Sequence, residues 1–272
     1  MKNKYFNFHG VTNLGSTLIR GFQIAEYFEG STVDFTNYDG VNIYIKLYPR
    51  GGIIPNYCYC DIVDNVRILR WLNRNPQVGA IVISKMGFNY VKSQINPKNI
   101  KLIPQHHCNK QRILRPDRLV ETVGFIGSNG SCQLSLLELE IEFKKSGLNF
   151  IWLRTPFTLN QVIEFYQKID IQIVYRIWDK TDRNINLKDG LKIFNAGSFG
   201  IPTVATPEPG YDEEYDKLYL KVNSPKELIE NCVLLKTNKS MYQDIVGEIL
   251  SRSKIHHIDN IIPLYRELLN NA

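Results

Sequence analysis

The sequence of 272 residues contains no long uncharged apolar run. A helix needs about 20 consecutive apolar residues to cross a bilayer, and no stretch approaches that length. The N-terminal segment is basic and has no apolar core, which is not typical of a secretory signal peptide. We therefore expect a cytoplasmic protein.

Cysteine is also scarce. The five cysteines are odd in number and irregularly spaced, which argues against a disulfide framework. The stretches "CYC" and "QHHC" leave open a cluster of soft metal ligands, formed by Cys58, Cys60, His106, His107 and Cys108. Their spacing differs from the about two to four residues that separate paired cysteines in zinc sites, so we expect no metal ion.

Charge is unevenly distributed along the chain. Through Pro116 there are 15 Lys and Arg against 6 Asp and Glu, and the remainder has 18 against 21. A basic first part favours an anionic partner, such as a phosphorylated acceptor or the headgroups of an inner membrane leaflet, although a generally basic soluble protein has the same composition. The basic residues are scattered and form no recognised motif, so we expect no nucleic-acid partner.

Apolar segments of strand length alternate with helical patterns in two series. The first contains "VNIYIKLYP" and "VGAIVIS", and the second contains "ETVGFIGSNG" and "IQIVYRIWD". Short buried strands separated by helices predict parallel sheets covered on both faces. The polar segment "CNKQRILRPDRLVE" between the series has the composition of a linker. The sequence thus predicts two α/β domains with a ligand cleft between them. The last segment predicts an amphipathic helix interrupted at Pro263.

The stretch "GFIGSNGS" is a candidate phosphate loop. It follows an apolar strand and precedes a helical pattern, where glycines let the backbone approach a ligand and free N–H groups attract anions. A plain strand-to-helix turn has the same composition. The glycine spacing is not that of the dinucleotide fingerprint, and the Gly-Lys-Ser/Thr of a Walker loop is missing.

A second candidate is "NLKDGLKIFNAGSFGIPTVATPEPGYDEEY". It predicts a helix that starts near Leu187, is capped by Asn186 and carries a polar stripe of Lys188, Lys192 and Asn195. The glycine and proline of "FGIP" end this helix, and "TVAT" predicts a buried strand. The acidic "PEPGYDEE" is then predicted to be a loop at the carboxyl end of the strand, where parallel sheets bind ligands.

The segment "KIFNAGSFGIPTVATPEPGYDEE" resembles the nucleotide-sugar-binding segment of glycosyltransferases with the GT-B fold. "VGFIGSNG" resembles the first strand and loop of the same C-terminal domain, and "NLGSTLIRGFQIAEYF" the opening loop and helix of the acceptor domain. The resemblance implies two Rossmann-like α/β domains whose parallel sheets face a central cleft. Residues 1–115 would bind the acceptor, residues 116–255 would bind the nucleotide sugar, and a helix over residues 256–272 would pack back on the first domain.

The resemblance also implies roles for single residues on the donor side. Lys192 would place a catalytic cation beside the donor diphosphate. Asn195 would face the ribose or nucleotide, and Glu208 would border the sugar and phosphates. Contacts to the diphosphate would come from the glycine-rich loop, at Gly127, Ser128 and Asn129.

The sequence departs from the family pattern in three places. One is its length, which is short for the family and implies trimmed loops in the acceptor domain. The commonest retaining branch has two glutamates with seven residues between them, where this sequence has Leu187 and Asn195. That branch also has an Arg/Lys pair after the first strand of the second domain, and "SNGSCQ" contains neither residue. We expect Arg176 and Lys188 to supply the missing positive charge to the donor.

On the acceptor side, the resemblance places Gly15 and Ser16 in the opening loop. Sugar transfer also needs a group that orients or deprotonates the acceptor hydroxyl. His9, at the end of the first predicted strand, is the first candidate for this base, and Asp61 and His106 are others. A single histidine is more often structural, and that interpretation stays open.

We therefore expect a glycosyltransferase that needs neither a metal ion nor a cofactor and moves a sugar from a nucleotide-sugar donor to a glycan or lipid-linked acceptor. The basic first domain would face the anionic acceptor or contact the inner face of a membrane peripherally. Two alternatives stay open: a nucleotide-sugar epimerase of the same fold, and a non-catalytic nucleotide- or glycan-binding module.

Overall fold

A computed structural model describes residues 5–12, 14–34, 38–95, 99–177, 179 and 181–271, with Asn129 described by its backbone alone. Contacts between Cα atoms divide the chain into two compact units. The first unit comprises Met1–His106, Lys180–Asp189 and Ile258–Ala272. The second unit comprises His107–Asp179 and Gly190–His257.

The first unit contains a sheet of six parallel strands in the order β2-β1-β3-β4-β5-β6. Phe8 of β1 is opposite Ile43 of β3, and the residues of both strands are buried, as expected for a parallel sheet covered on both faces. The strands are β1 (Phe6–His9), β2 (Thr32–Val33), β3 (Val41–Ile45), β4 (Tyr57–Asp61), β5 (Gly79–Val82) and β6 (Ile100–Leu102).

Helices flank this sheet. The opening helical segment changes from α to π geometry and back, and Ser84 caps the fourth helix by accepting from the N–H of Gly87. The elements are α1 (Gly15–Thr17), a π-helix (Leu18–Phe22), α2 (Gln23–Ala25), α3 (Arg67–Arg74), α4 (Lys85–Gln94) and a 3-10 helix (Arg183–Leu187).

The C-terminal helix, Ile258–Asn270, belongs to the first unit. Its buried face, which includes Ile261 and Tyr265, packs in one core with Phe6 and Phe8 of β1. The helix is continuous through Pro263, so the predicted interruption is wrong. Proline removes a single backbone hydrogen bond, and the packing of the apolar face outweighs that loss.

The second unit contains a sheet of five parallel strands in the order β11-β10-β9-β7-β8. Its core joins the strand residues Phe125, Ile173 and Val204 to Phe143 and Leu228 of the flanking helices. The predicted parallel sheets are therefore confirmed in both units. The strands are β7 (Thr122–Gly127), β8 (Asn149–Arg154), β9 (Ile171–Val174), β10 (Thr203–Ala205) and β11 (Leu220–Lys221).

Several helices of the second unit begin at a side-chain cap. Ser135, Thr158 and Ser224 each accept from the backbone N–H of the third residue of the helix, and Thr158 forms a full capping box with Gln161. The helices are α5 (Leu136–Lys145), α6 (Leu159–Lys168), α7 (Leu191–Ser198), α8 (Pro209–Tyr215), α9 (Pro225–Thr237) and α10 (Lys239–Ser253), with 3-10 helices at Asn129–Ser131 and Lys254–His256; α11 is the C-terminal helix Ile258–Asn270.

Two local predictions are wrong. Helix α7 begins at Leu191, not near Leu187, because the preceding residues form a separate 3-10 helix whose cap is the carboxylate of Asp182. The predicted acidic loop is instead helix α8, in which Pro209 occupies the first turn and Asp212 lies near the N-terminus. Lys188 therefore does not share a helix with Lys192.

All five cysteines are free and buried. Within the residues that the structure describes, no helix is both long and apolar enough to span a bilayer.

Candidate functional site

The candidate donor site lies at one edge of the second-unit sheet. Strands β7, β9 and β10 are adjacent and parallel, so their carboxyl ends lie at the same edge. The segments that follow these strands contain most of the residues predicted to bind the donor. This edge is where open parallel sheets bind their ligands.

The glycines of "GFIGSNG" differ in whether the structure could accept a side chain at their position. A side chain at Gly124 would lie 2.4 Å from Ile169, so this glycine permits the close packing of β7 against the end of α6. Gly127 has a φ of +150°, and a Cβ there would lie 2.3 Å from the Ser131 hydroxyl. Around Gly130 nothing would touch a Cβ within 4 Å. The chain itself requires the first two glycines and leaves open space at the third.

The loop after β7 is a single 3-10 turn. The hydroxyl of Ser131 donates to the carbonyl of Ser128 at 2.7 Å, and the Ser131 N–H donates to the same carbonyl at 3.0 Å. Helix α5 starts only at Leu136, so this turn, and not the start of α5, directly follows β7 at the edge of the sheet. The side chain of Ser128 is exposed.

Lys192, on α7, reaches this turn across 66 residues of sequence. Its ammonium group donates to the Ile126 carbonyl at 2.7 Å and lies 5.0 Å from the centre of the Phe125 ring. It would lie 3.3 Å from a Cβ placed on Gly127. The structure thus brings together the two stretches that the sequence singled out separately, and it places a partly exposed cation beside the glycine turn.

Arg176 and Glu208 also meet at this edge. The guanidinium donates to both carboxylate oxygens, with Nη2 to Oε1 and Oε2 at 2.6 and 2.7 Å. The side chains are 16% and 1% exposed. Burial disfavours the charged guanidinium, but Tyr211 and Glu208 outweigh it and raise the pKa of Arg176. The pair is a charge-assisted clamp in which only the arginine reaches solvent.

Two further residues at this edge, Gln133 and Thr206, were not predicted from the sequence. Gln133 exchanges hydrogen bonds with the backbone of Ile177, at 2.6 and 2.9 Å, and thereby ties the segment after β7 to the segment after β9. The Thr206 hydroxyl accepts from the N–H of Arg176 and donates to its carbonyl. Neither residue lies in a recognisable motif, because their partners are more than 25 residues distant in sequence.

Asn195 is oriented by the backbone of the preceding segment. Its Oδ1 accepts from the N–H of Cys108 at 2.8 Å, and its carbonyl accepts from the Ser198 hydroxyl. The predicted contact of Asn195 with the donor ribose stays a prediction. What the structure shows is an amide that anchors α7 to the start of the second unit.

The remaining predicted residues lie in the first unit. His9 ends β1, is 1% exposed, and donates from Nε2 to Asn42 Oδ1 at 2.8 Å. Its ring stacks on Tyr44 at 4.3 Å. Burial lowers the pKa of His9, against the opposing effects of Asn42 and Asp34. A lowered pKa keeps the imidazole neutral near pH 7, as a base requires, and access to an acceptor hydroxyl stays a prediction.

Asp61 ends β4 and is fully buried in an ion pair with Arg20, a residue that the sequence analysis did not identify. Arg20 also donates to the Pro104 carbonyl at 3.2 Å. Burial raises the pKa of Asp61, and the guanidinium opposes that rise. Close by in the chain, His106 is 1% exposed and shares a hydrogen bond of 2.7 Å with Gln23.

Lys188 and the opening loop complete the set. The Lys188 ammonium lies 3.5 Å from Asp64, which also pairs with Lys46 at 2.5 Å. Burial favours the neutral acid, but these two lysines outweigh it and lower the pKa of Asp64. Gly15 and Ser16 lie in the short helix α1, so their predicted place in a loop is wrong, and a Cβ on Gly15 would touch nothing within 4 Å. Lys188 thus belongs to the first unit and the other predicted donor residues to the second.

The alternative of a metal cluster finds no support in the described part of the chain. There, no group of three or more His, Cys, Asp and Glu side chains is arranged to hold a metal ion. Burial raises the pKa of Cys58 and of Cys108 to about 12, so both side chains are thiols near pH 7. A buried thiol of this kind is a poor metal ligand.

No protein-family model and no curated protein sequence matches the chain. Solved structures do match. WaaG, a glycosyltransferase involved in lipopolysaccharide biosynthesis, has a TM-score of 0.62 at 10% identity, and the match covers 98% of this chain and 100% of WaaG. HepE from Anabaena in complex with UDP-glucose has a TM-score of 0.62 at 9% identity, with 98% of both chains covered.

A glycosyltransferase from Rickettsia africae has a TM-score of 0.60 at 11% identity, and the match covers 100% of both chains. In contrast, the chain spans only 50% of the length of TarM and 53% of the matched chain of the GtfA/B complex. At these identities the similarity concerns the fold. Together with the two parallel sheets, it shows a two-domain, Rossmann-like GT-B fold.

Proposed function

From the GT-B fold, we propose that this chain is a glycosyltransferase that moves a sugar from a nucleotide-sugar donor to a glycan or lipid-linked acceptor. The observation that carries the proposal is the position of Lys192 against the Gly127–Ser131 turn. A cation beside a glycine-rich turn at the carboxyl edge of a parallel sheet is suited to a diphosphate.

The donor half of the reaction requires little from the protein. As the bond from sugar to phosphate breaks, negative charge grows on the departing nucleoside diphosphate. In this proposal, Lys192 and backbone N–H groups of the glycine turn beside it stabilise that charge. Ser128 and the open space at Gly130 leave room for the phosphates. We propose no metal ion or cofactor for this step.

Arg176 and Glu208 act as one element in this proposal. Glu208 holds the guanidinium at the strand ends through both carboxylate oxygens, and the exposed part of Arg176 adds positive charge toward the phosphates. This arrangement supports the expected role of Arg176 in replacing the missing Arg/Lys pair. For Glu208 we propose that it positions Arg176 first and borders the donor second.

HepE binds UDP and UDP-glucose, which supports a uridine nucleotide as the first donor to test. The acceptor, its contact with Gly15 and Ser16, and the base among His9, Asp61 and His106 stay predictions. So does peripheral contact of the basic first part with a membrane. WaaG acts in lipopolysaccharide biosynthesis, which supports a glycan or lipid-linked acceptor.

The direct test is product analysis. The full chain is incubated with UDP-glucose and other nucleotide sugars, and the nucleotide and sugar products are followed by chromatography. A transferase releases free nucleoside diphosphate, with water or added glycan as acceptor. Interconversion of the sugar without release would contradict the proposal in favour of an epimerase. Binding without either product would instead support a non-catalytic module.

Lys192→Ala tests the residue that carries the proposal. Release of the diphosphate should fall at least about tenfold, because each lost charge-assisted contact in the transition state costs about 1.5–3 kcal/mol. Lys236→Ala is the matched control, since Lys236 also donates to a backbone carbonyl of the second unit, at Gly147 before β8. Equal losses in both variants would remove the case for Lys192.

A further inference from the structure

A separate cavity of about 570 Å³ lies in the first unit beside α3 and α4. Cavities of about 300–1,000 Å³ are typical of small-molecule sites. None of the residues assigned above to sugar transfer lines it. Its polar lining comes from Arg67, Arg70, Asn73, Tyr90, Gln94 and Arg183, and apolar side chains of the two helices form the rest.

The helix periodicity explains the arginines of α3. Leu69 and Leu72 are buried in the core, whereas Arg67 and Arg70, three residues apart, are exposed on the side of the cavity. A third arginine of the same helix, Arg74, is exposed but does not line the cavity. Helix α3 therefore provides two arginines to the cavity and one natural control outside it.

The cavity receives its third arginine from a distant segment. The 3-10 helix that begins at Arg183 is fixed on α3 by Asn184, whose Oδ1 accepts from the N–H of Val66 at 3.0 Å. Leu187, at the other end of this turn, is 1% exposed and packs in the core with Leu69 and Val91. The turn that carries Arg183 is thus held on the first unit at both ends.

In the part of the chain that the structure describes, these three guanidinium groups have no acidic partner. No ion pair there involves Arg67, Arg70 or Arg183, and no residue lining the cavity has a carboxylate. The nearest paired carboxylate in the sequence, Asp64, is occupied by Lys46 and Lys188. Three positive charges around one concave surface repel one another, and a dianion would relieve that repulsion.

We propose that this cavity binds a phosphate group carrying at least two negative charges, on a soluble phosphorylated molecule or on a lipid headgroup. Each guanidinium can donate two parallel hydrogen bonds to a pair of phosphate oxygens. Three guanidinium groups offer more donors than the two oxygens of one carboxylate can accept. Asn73, Gln94 and Tyr90 add neutral hydrogen-bonding groups for the part of the ligand next to the phosphate.

Calorimetric titration of the full chain with inorganic pyrophosphate, at constant ionic strength, tests the site. The titration uses the Lys192→Ala variant, which weakens the proposed donor site. In that background, Arg67→Gln/Arg70→Gln should lower the affinity at least about tenfold, and Arg74→Gln should change it less than about twofold. Arg183→Gln, on a separate element, should also weaken binding, and circular dichroism verifies folding.

Two results would overturn the proposal. One is that Lys192→Ala alone abolishes all pyrophosphate binding, which would leave the proposed function intact. The other is that Arg74→Gln weakens binding as much as Arg67→Gln/Arg70→Gln, since the effect would then reflect overall charge.

Vesicles distinguish the two sources of phosphate. The chain is sedimented with phosphatidylcholine vesicles that contain or lack phosphatidic acid. Recruitment that requires phosphatidic acid and falls in Arg67→Gln/Arg70→Gln identifies a lipid headgroup. Pyrophosphate binding without recruitment identifies a soluble phosphate.

Discussion

The two units place similar ion pairs at the carboxyl ends of their sheets but bury them differently. In the first unit, Arg20 and Asp61 at the end of β4 are 1% and 0% exposed. In the second, Arg176 and Glu208 beyond β9 and β10 are 16% and 1% exposed, and Lys192 beside them is partly exposed. Both pairs join an arginine to a carboxylate, and they differ in how much of the arginine is exposed.

This difference separates stability from binding. Removing one partner of a sealed pair leaves an uncompensated charge in the interior. In a pair with one partly exposed member, the arginine stays in contact with solvent. We therefore expect loss of this pair to change the free energy of unfolding less, and the affinity for an anion more. We expect the effects on stability to decrease from the sealed pair to the glycine turn and then to a buried histidine of the second unit.

Removing the sealed arginine should have the largest effect. Arg20→Met leaves Asp61 buried without its partner, and we expect a loss of about 3–5 kcal/mol in the free energy of unfolding. Urea denaturation measures it. Arg20→Met/Asp61→Leu should recover part of the loss, because the buried charge is then absent. If Arg20→Met is no more destabilising than Arg176→Met, the contrast between the units fails.

The glycine turn should show an intermediate effect. Gly127→Ala forces a side chain into a backbone with positive φ and against Ser131, which should cost about 1–3 kcal/mol. Gly130→Ala meets open space and should change stability by less than about 0.5 kcal/mol. Thermal unfolding of both variants checks the difference. Equal destabilisation by the two would show that the turn does not depend on Gly127.

Acid should weaken the second unit through His107. Burial, with the neighbouring His257 and His256, lowers the pKa of His107 to about 3. The unfolded chain therefore takes up a proton near pH 6.5 that the folded chain refuses, so stability present above about pH 6.5 is lost as the pH falls. Between about pH 7 and pH 5 we expect a loss of about 1–2 kcal/mol.

Urea denaturation of wild type and His107→Leu at both pH values measures this contribution. The variant should be less sensitive to pH by about the same amount, because it lacks the titrating group. An unchanged pH dependence would mean that other groups account for the acid sensitivity.

The sequence contained the information for the sheets and for the edge at which the candidate donor site lies. Short, continuously apolar strands can only be buried on both faces, and glycines such as Gly127 and the lysine Lys192 lie in segments next to such strands. The parallel sheets followed from that pattern. The contact of Lys192 with the turn depends on the packing of α7, and no local sequence pattern predicts that packing.

Other features were beyond local reasoning. The start of α7 was misplaced because Asp182 caps a competing 3-10 turn, and a polar stripe through Lys188 has the same spacing in either case. The Arg20–Asp61 pair spans 41 residues, and the Arg183 side of the cavity lies more than a hundred residues from α3. Contacts of this range are set by topology and not by periodicity.

The affinity of UDP for wild type and Lys192→Ala, measured by calorimetry, tests the central claim most directly. If Lys192 and the glycine turn bind the donor diphosphate, the variant should bind UDP about tenfold to a hundredfold more weakly, while Lys236→Ala binds as the wild type does. Undiminished UDP binding by Lys192→Ala would contradict the assignment of the donor site to this edge of the sheet.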